Sequence, residues 1–171
     1  MELVVLLDAD GNEVGAMAKE EAHQAPGHLH LAFSVFLSNP SGQLLMQRRA
    51  LEKYHFPGAW ANACCSHPRP GEPLPEAARR RVLEELGLEC EPTEIGTFTY
   101  RATDPVSTLV EHELDHVFTA AVSEDPDPDP SEVMEWRWVG ADELRARVNA
   151  ADPTLAPWVS AAVRAFPELI G

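Results

Sequence analysis

The chain has 171 residues, 44% of them hydrophobic, which suits one compact domain over 1–171 with a sizeable core. The net charge of −15 argues against broad nucleic-acid or anionic-membrane binding, because either partner would need a basic field. No stretch approaches the roughly 20 apolar residues of a membrane span, and the start, Met1–Leu7, lacks a basic region and runs into Asp8. Cys64, Cys65 and Cys90 form an odd set with two adjacent members, which suits a reducing compartment better than a disulfide framework. A cytoplasmic protein is expected, as a monomer or weak homodimer.

Charge is unevenly spread. Residues 48–81 carry a local +4, from Arg48, Arg49, Lys53, Arg69, Arg79, Arg80 and Arg81 against three acids, while residues 102–171 carry −10. A basic island in an acidic chain fits a small anion; a solvated helix face balancing its neighbours would look the same.

In chain order, Leu3–Leu7 is a short apolar run ended by a turn cluster of hairpin type at 8–12. His30–Leu37 reads as a strand, and the turn 38–42 leads into a second, Gln43–Arg48, so a hairpin is expected. Prolines 57, 68, 70 and 73 make 49–73 largely loop around a short strand at Ala59–Ala63. Pro75 opens a helix to Leu86, with Gly87 as its stop and Ala78, Val82 and Leu86 as its core stripe. Strands follow near Ile95–Arg101, Leu109–Ala121 and Met134–Val139, with an exposed Asp-Pro loop at Asp125–Pro130. Helices near Ala141–Val148 and Pro153–Phe166 close the chain. The fold class is α+β, a mixed or antiparallel sheet with helices on both sides. Trp60, Trp136 and Trp138 are expected in the core, and Cys90 as a small buried filler.

Candidate chemistry lies at His23 and His30, at Cys64-Cys65-Ser66-His67-Pro68, at Arg81 and Glu85 on the helix, and at Glu111-His112-Glu113. On a strand, Glu111 and Glu113 share a face and His112 takes the other. Two carboxylates on one face repel unless a cation or a proton lies between them. With histidines available, mixed imidazole and carboxylate ligands suit Zn, Mn or Fe better than Ca. His28 is expected at the surface; His55 and His116 have no evident role.

Seven segments in order resemble the type I isopentenyl-diphosphate isomerases: Leu29–Ser34, Gln47–Leu51, Trp60–Pro68, Glu85–Gly87, Tyr100–Asp104, Glu111–Glu113 and Pro157–Trp158. That family is similar to Nudix hydrolases in fold. Aligned back from Gly87, the hydrolase box places Glu72, Arg80, Glu84 and Glu85 on matching positions, but Ser66 at the opening glycine and Arg81 where hydrolysis wants an acid. The likeness implies isomerisation of isopentenyl diphosphate to dimethylallyl diphosphate through a carbocation, with hydrolysis of an organic diphosphate as the alternative.

The resemblance assigns His23, His30, His67, Glu111 and Glu113 to one Zn²⁺ or Mn²⁺, and Glu85 to a Mg²⁺ bound with the substrate diphosphate. Cys65 and Glu113, with Tyr100, become the proton-handling groups and Trp158 the π wall. The metal charge beside His67 is expected to favour a Cys65 thiolate. Lys19, Arg49, Lys53 and Arg81 become the diphosphate contacts, ahead of Arg48.

Overall fold

The computed structural model describes residues 1–171. β1 (Leu3–Leu7) and β2 (Glu13–Ala18) form an antiparallel hairpin. Its turn is held by Asp8, whose carboxylate accepts from the backbone N–H groups of Asp10 and Asn12 at 2.9 Å each. The turn is thus the hairpin turn expected, but the strand beyond it and the one-turn helix α1 (Lys19–Ala22) are not delimited in the sequence reading, because β2 is exposed for most of its length and has no apolar alternation.

β3 (His30–Ser38) is the centre of the sheet. It runs antiparallel to β6 (Cys64–Ser66) and parallel to β8 (Val110–Ala121), in register from His30 opposite Glu113 to Ser38 opposite Ala121. β7 (Thr93–Thr103) pairs antiparallel with β8. The sheet is therefore mixed, as expected. The predicted hairpin of β3 with β4 (Leu44–Arg49) is largely a corner. The strands pair only at Ser38 and Leu44, then part, and β4 continues between β5 (Trp60–Asn62) and β9 (Val133–Val139). A strand buried nearly throughout, as β3 is, needs neighbours on both edges, and β8 and β6 supply them. The single strand expected at 59–63 is likewise two, divided at Ala63 as the chain crosses from β4 to β3.

Helix α2 (Leu74–Leu86) buries Ala78, Val82 and Leu86 against Phe33, Val35, Leu37 and Phe118. Gly87 ends it at φ 65°, where a side chain would also meet the Asp127 carbonyl at 3.0 Å. The Asp-Pro segment is irregular, as expected, but it packs on the helix end. Asp127 and Asp129 donate backbone N–H groups to the carbonyls of Leu86 and Glu85, both at 2.9 Å. On the other side of the sheet, α3 (Ala141–Asn149) and α4 (Pro157–Ala165) pack on Phe36, Met46 and Val117. α4 starts four residues later than predicted. Residues 153–156 instead dock on β5, with Trp60 N donating to Thr154 O (2.8 Å) and Ala156 N to Trp60 O (2.7 Å). A 3₁₀ turn, Pro167–Ile170, was not predicted.

Cys90 is buried as expected, whereas Trp60, Trp136 and Trp138 are half-buried on the rim of the core rather than inside it. Arg137 and Arg147 lie over the Trp60 ring at 5.1 and 5.8 Å, giving that tryptophan a polar cover. No helix is long and apolar enough to cross a membrane.

Candidate active site

Strand period and register assemble the floor of the site. Glu111, Glu113 and Asp115 project from one face of β8 and are all buried, while His112 turns the other way to the Gly27 carbonyl. Tyr100 on β7 and His30 on β3 are both register partners of Glu113, so the three form one row across three strands. His67 follows β6 directly, and His23 caps the end of α1. The structure thus gathers all five predicted ligands: one donor atom from each of His23, His30, His67, Glu111 and Glu113 lies within 4.8 Å of every other.

Backbone carbonyls decide which nitrogens face the cluster. His23 Nδ1 lies 2.6 Å from Lys19 O and His30 Nδ1 lies 2.8 Å from His28 O, so each Nδ1 carries the hydrogen, and in the neutral ring each Nε2 presents a lone pair. Those lone pairs face carboxylate oxygens: His23 Nε2 is 3.1 Å from Glu111 Oε2, and His30 Nε2 is 3.3 Å from Glu113 Oε1. His30 and His67 also meet Nε2 to Nε2 at 3.1 Å. Acceptors that face acceptors need a proton or a metal ion between them, and three nitrogens with two carboxylates suit a borderline divalent ion. Burial pushes His67 down to about 4, leaving it uncharged and able to ligate. Burial works to raise Glu111, but the imidazoles of His23 and His55 at its two oxygens outweigh it and hold the carboxyl well below the usual range.

Beside the cluster lies the predicted proton-handling pair. Tyr100 donates its hydroxyl to Glu113 Oε2 at 2.6 Å. Cys65 lies between two polar groups: its S–H donates to Asn62 Oδ1 at 2.9 Å, and Ser34 Oγ stands 3.3 Å from the sulfur. Ser34 Oγ is in turn 2.7 Å from Asp115 Oδ2. Burial, with the charge of Asp115 added, pushes the Cys65 thiol well up. The expected thiolate is thus not what the protein's own groups favour; any ionised form depends on charge brought in by ligands. Burial and the charge of Glu113 push Asp115 well up too. Trp158 is buried and donates its indole N–H to the same Asn62 oxygen at 3.2 Å. Asn62 has no freedom to flip, because its NH₂ is taken by the carbonyls of Val35 and Cys64 at 2.9 and 3.1 Å. One amide therefore fixes both thiol and indole.

Cys65, Tyr100, Glu113 and Trp158 line one small cavity together with Lys19, Arg49, Lys53 and Arg81, the four predicted anion contacts. The cavity measures about 30 Å³, room for about one water. Through Lys19, Lys53, His67 and Arg81, which belong to both walls, it joins a vestibule of about 390 Å³. Arg48 is turned away, to Gly58 O and Glu135. Glu85 is buried behind Arg81, in contact with its guanidinium and with Gln47 Nε2 at 3.2 Å, rather than on the cavity wall. Glu72 takes Arg80 in a two-point pair at 2.7 and 2.8 Å, pinning the loop before α2 to the helix.

Four buried polar residues of the site went unassigned in the sequence. Asp115 and Ser34 continue the faces of Glu113 and His30 at strand spacing, so their period was available as a signal. Asn62 lies inside the Trp60–Pro68 segment, where the resemblance gives it no role. His55 sits in a proline-rich loop with no periodicity, yet its ring is buried and 2.6 Å from Glu111 Oε1. His28 is exposed, as expected.

A helix pinned to its leading loop by Glu72 and Arg80, packed on a mixed sheet, is a NUDIX-domain arrangement, and residues 28–159 match the NUDIX domain family. Among solved structures, DR0079 from Deinococcus radiodurans superposes with a TM-score of 0.77 at 24% identity, over 95% of this chain and 98% of that one. A MutT protein from Methanosarcina mazei superposes with 0.61 at 22% identity, over 69% and 81%. These likenesses establish the fold. Sequence relatives are more specific. The isopentenyl-diphosphate Delta-isomerase of Nocardia farcinica is 47% identical over 92% of this chain and 90% of its own. That of Streptomyces griseus is 49% identical over 99% and 87%. The chain belongs to the isopentenyl-diphosphate Delta-isomerases, within the NUDIX-domain proteins.

Proposed function

We propose that this chain interconverts isopentenyl diphosphate and dimethylallyl diphosphate by protonation and deprotonation through a tertiary carbocation. The observation that carries the reading is one cavity lined by a thiol, a carboxylate–phenol pair and a buried indole, with four cations on the same wall. Moving a double bond by one carbon adds a proton at one carbon and removes one two positions away. The alkene end needs two proton-handling groups, and Cys65 and Glu113 are the pair, with the Tyr100 hydroxyl poised on the carboxylate. Glu113 transfers the first proton in this reading. The cation formed is sheltered by Trp158, a contact worth about 2 kcal/mol, or roughly thirtyfold in rate.

Lys19, Arg49, Lys53 and Arg81 hold the diphosphate, and the guanidiniums are the planar, multi-donor partners that phosphate oxygens favour. When bound, a Zn²⁺ or Mn²⁺ at His23, His30, His67, Glu111 and Glu113 supplies positive charge beside Glu113, and a Mg²⁺ shared by Glu85 and the substrate neutralises phosphate charge. For Glu85 to meet that ion, Arg81 has to release it. The molecule works in this reading as a cytoplasmic monomer or weak homodimer on a small prenyl diphosphate; its three cysteines are all free thiols.

The test is incubation of the purified protein with isopentenyl diphosphate and Mg²⁺, followed by proton NMR and a phosphate assay. The dimethylallyl isomer should accumulate with no inorganic phosphate or pyrophosphate. Phosphate release without isomer would instead support hydrolysis, a reaction that leaves the thiol and the indole idle and meets Arg81 where it wants an acid.

A further inference from the structure

We infer that His55 is a positioning residue: its ring N–H holds the outer oxygen of Glu111 and so ties the metal centre to the anion-binding Arg49. The inference rests on the reading of the five-residue cluster as a metal centre, and it concerns a residue outside that cluster.

Glu111 is gripped at both oxygens. Oε2 faces the bare nitrogen of His23 at 3.1 Å, whereas Oε1 is 2.6 Å from His55 Nε2. That short approach requires a hydrogen on His55 Nε2, donated to the carboxylate. His55 Nδ1 is buried and has no hydrogen-bond partner, so a neutral ring with its hydrogen on Nε2 leaves only a lone pair unmatched. With Oε1 so engaged, Oε2 is the oxygen left for the cluster. A carboxylate ligand held from behind in this way cannot swing out of its coordinating orientation.

The backbone around His55 shows that the ring is placed with some force. Phe56, the next residue, has φ 46°, a left-handed conformation that costs free energy for a bulky side chain. Its N–H is captured at 2.9 Å by Asp104, a buried carboxylate that also takes Ser107 Oγ at 2.6 Å and Val106 N at 3.0 Å. The turn joining β7 to β8, the strand that carries Glu111, thereby anchors the loop that carries His55. On the other side, Arg49 Nη2 donates to the His55 carbonyl at 3.1 Å and stands 3.4 Å from His55 Nε2, farther than the 2.6 Å to Glu111, and the Arg49 guanidinium lies over Trp158 at 5.3 Å. One residue thus contacts a metal-centre carboxylate through its ring and an anion-binding guanidinium through its carbonyl and the edge of the same ring.

The experiment is metal titration of the intact, metal-stripped chain with Zn²⁺ against a chelator and with Mn²⁺ by electron paramagnetic resonance. His55→Ala should weaken metal affinity by about 10- to 100-fold. His55→Gln, whose terminal amide can place an N–H near the Nε2 position, should recover most of that loss, and His55→Asn, too short to reach, should not. Melting of each metal-free protein separates loss of the contact from loss of the fold. If His55→Ala will not fold, the Gln and Asn variants still decide, because both keep a polar side chain and only one reaches Glu111. Wild-type affinity in the Asn or Ala variant overturns the inference, as does a Gln variant as weak as Asn. So does a Co²⁺ spectrum showing that the wild type has one nitrogen ligand more than the Asn variant, since His55 would then be a ligand. A wild-type chain that binds no metal overturns the metal-centre reading itself.

Discussion

The two ends of the cavity are built on opposite plans. At the inner end, three imidazoles and two carboxylates are buried, oriented by strand register and by backbone carbonyls, and face one another acceptor to acceptor. At the outer end Lys19 and Arg81 sit on helices, Lys53 on a loop and Arg49 at the end of β4, and most bring their own acid: Lys19 pairs with Glu2 at 3.1 Å, Lys53 with Glu132, and Arg81 with Glu84 at 2.8 Å and with Glu85. Arg49 alone of the four has no acid partner and lies buried beneath the vestibule with its Nε unmatched. The inner end gathers a set of acceptors that could hold a cation. The outer end is largely paired with its own acids, so in the proposed reaction phosphate oxygens have to displace carboxylates, an exchange sensitive to salt.

Variants can break or sharpen that contrast. Cys65→Ala should lower turnover by roughly a thousandfold or more while metal content and melting temperature stay as they are. Activity in that variant would remove the thiol from the reaction. Stripping the metal comes next. If the inner end is incomplete alone, saturation at about 100 times Kd should stabilise the chain by about 2.7 kcal/mol, which for this size raises Tm by on the order of 5–10 °C. Glu111→Gln should abolish most of that rise in a chelator-versus-metal melting experiment; an undiminished rise would place the ion elsewhere.

At the outer end, Arg49→Lys should raise KM for isopentenyl diphosphate by about tenfold or more, because a buried guanidinium without an acid has no internal competitor for phosphate. Lys53→Met should raise KM by only a few fold, and added salt should shrink that penalty. Equal effects from the two would erase the distinction drawn for Arg49. Tyr100→Phe removes the hydroxyl on Glu113 and should lower kcat severalfold, by about 1 kcal/mol or somewhat more, at unchanged metal content. The smallest effect belongs to a surface pair remote from both ends. Hydrogen bonds from Thr154 and Arg147 hold Asp152 down to about 2. Its contribution to stability is therefore present above the ordinary carboxylate range and lost as pH falls from about 4 towards 2. Asp152→Asn should flatten that acid limb in a pH series of melts and leave activity at neutral pH untouched.

What could be read beforehand followed from periodicity. Alternation along residues 110–121 placed Glu111 and Glu113 together, and the stripe of Ala78, Val82 and Leu86 gave the core face of α2. The likeness to a known family supplied Cys65, Tyr100 and Trp158, which no period distinguishes from core residues. Features that stayed hidden depend on contacts between distant segments. β3 and β4 look like a plain hairpin until β8 and β9 compete for their edges. His55 is anonymous in its loop until a buried Asp104, about fifty residues away, fixes the neighbouring peptide. Asn62 has four hydrogen bonds to distribute, and only the folded chain shows that two of them select a sulfur and an indole.

In the proposed reaction the shared row of Tyr100, Glu113 and His30 makes strand alignment itself a part of the chemistry. Sliding residues 110–121 by a single step would turn both glutamates into the hydrophobic layer and bring His112 and Leu114 to the reacting bond. Length changes in the connection 104–109 are therefore tolerable only when the pairing beyond it is preserved, so that short turn constrains which insertions and deletions an active descendant of this chain can carry.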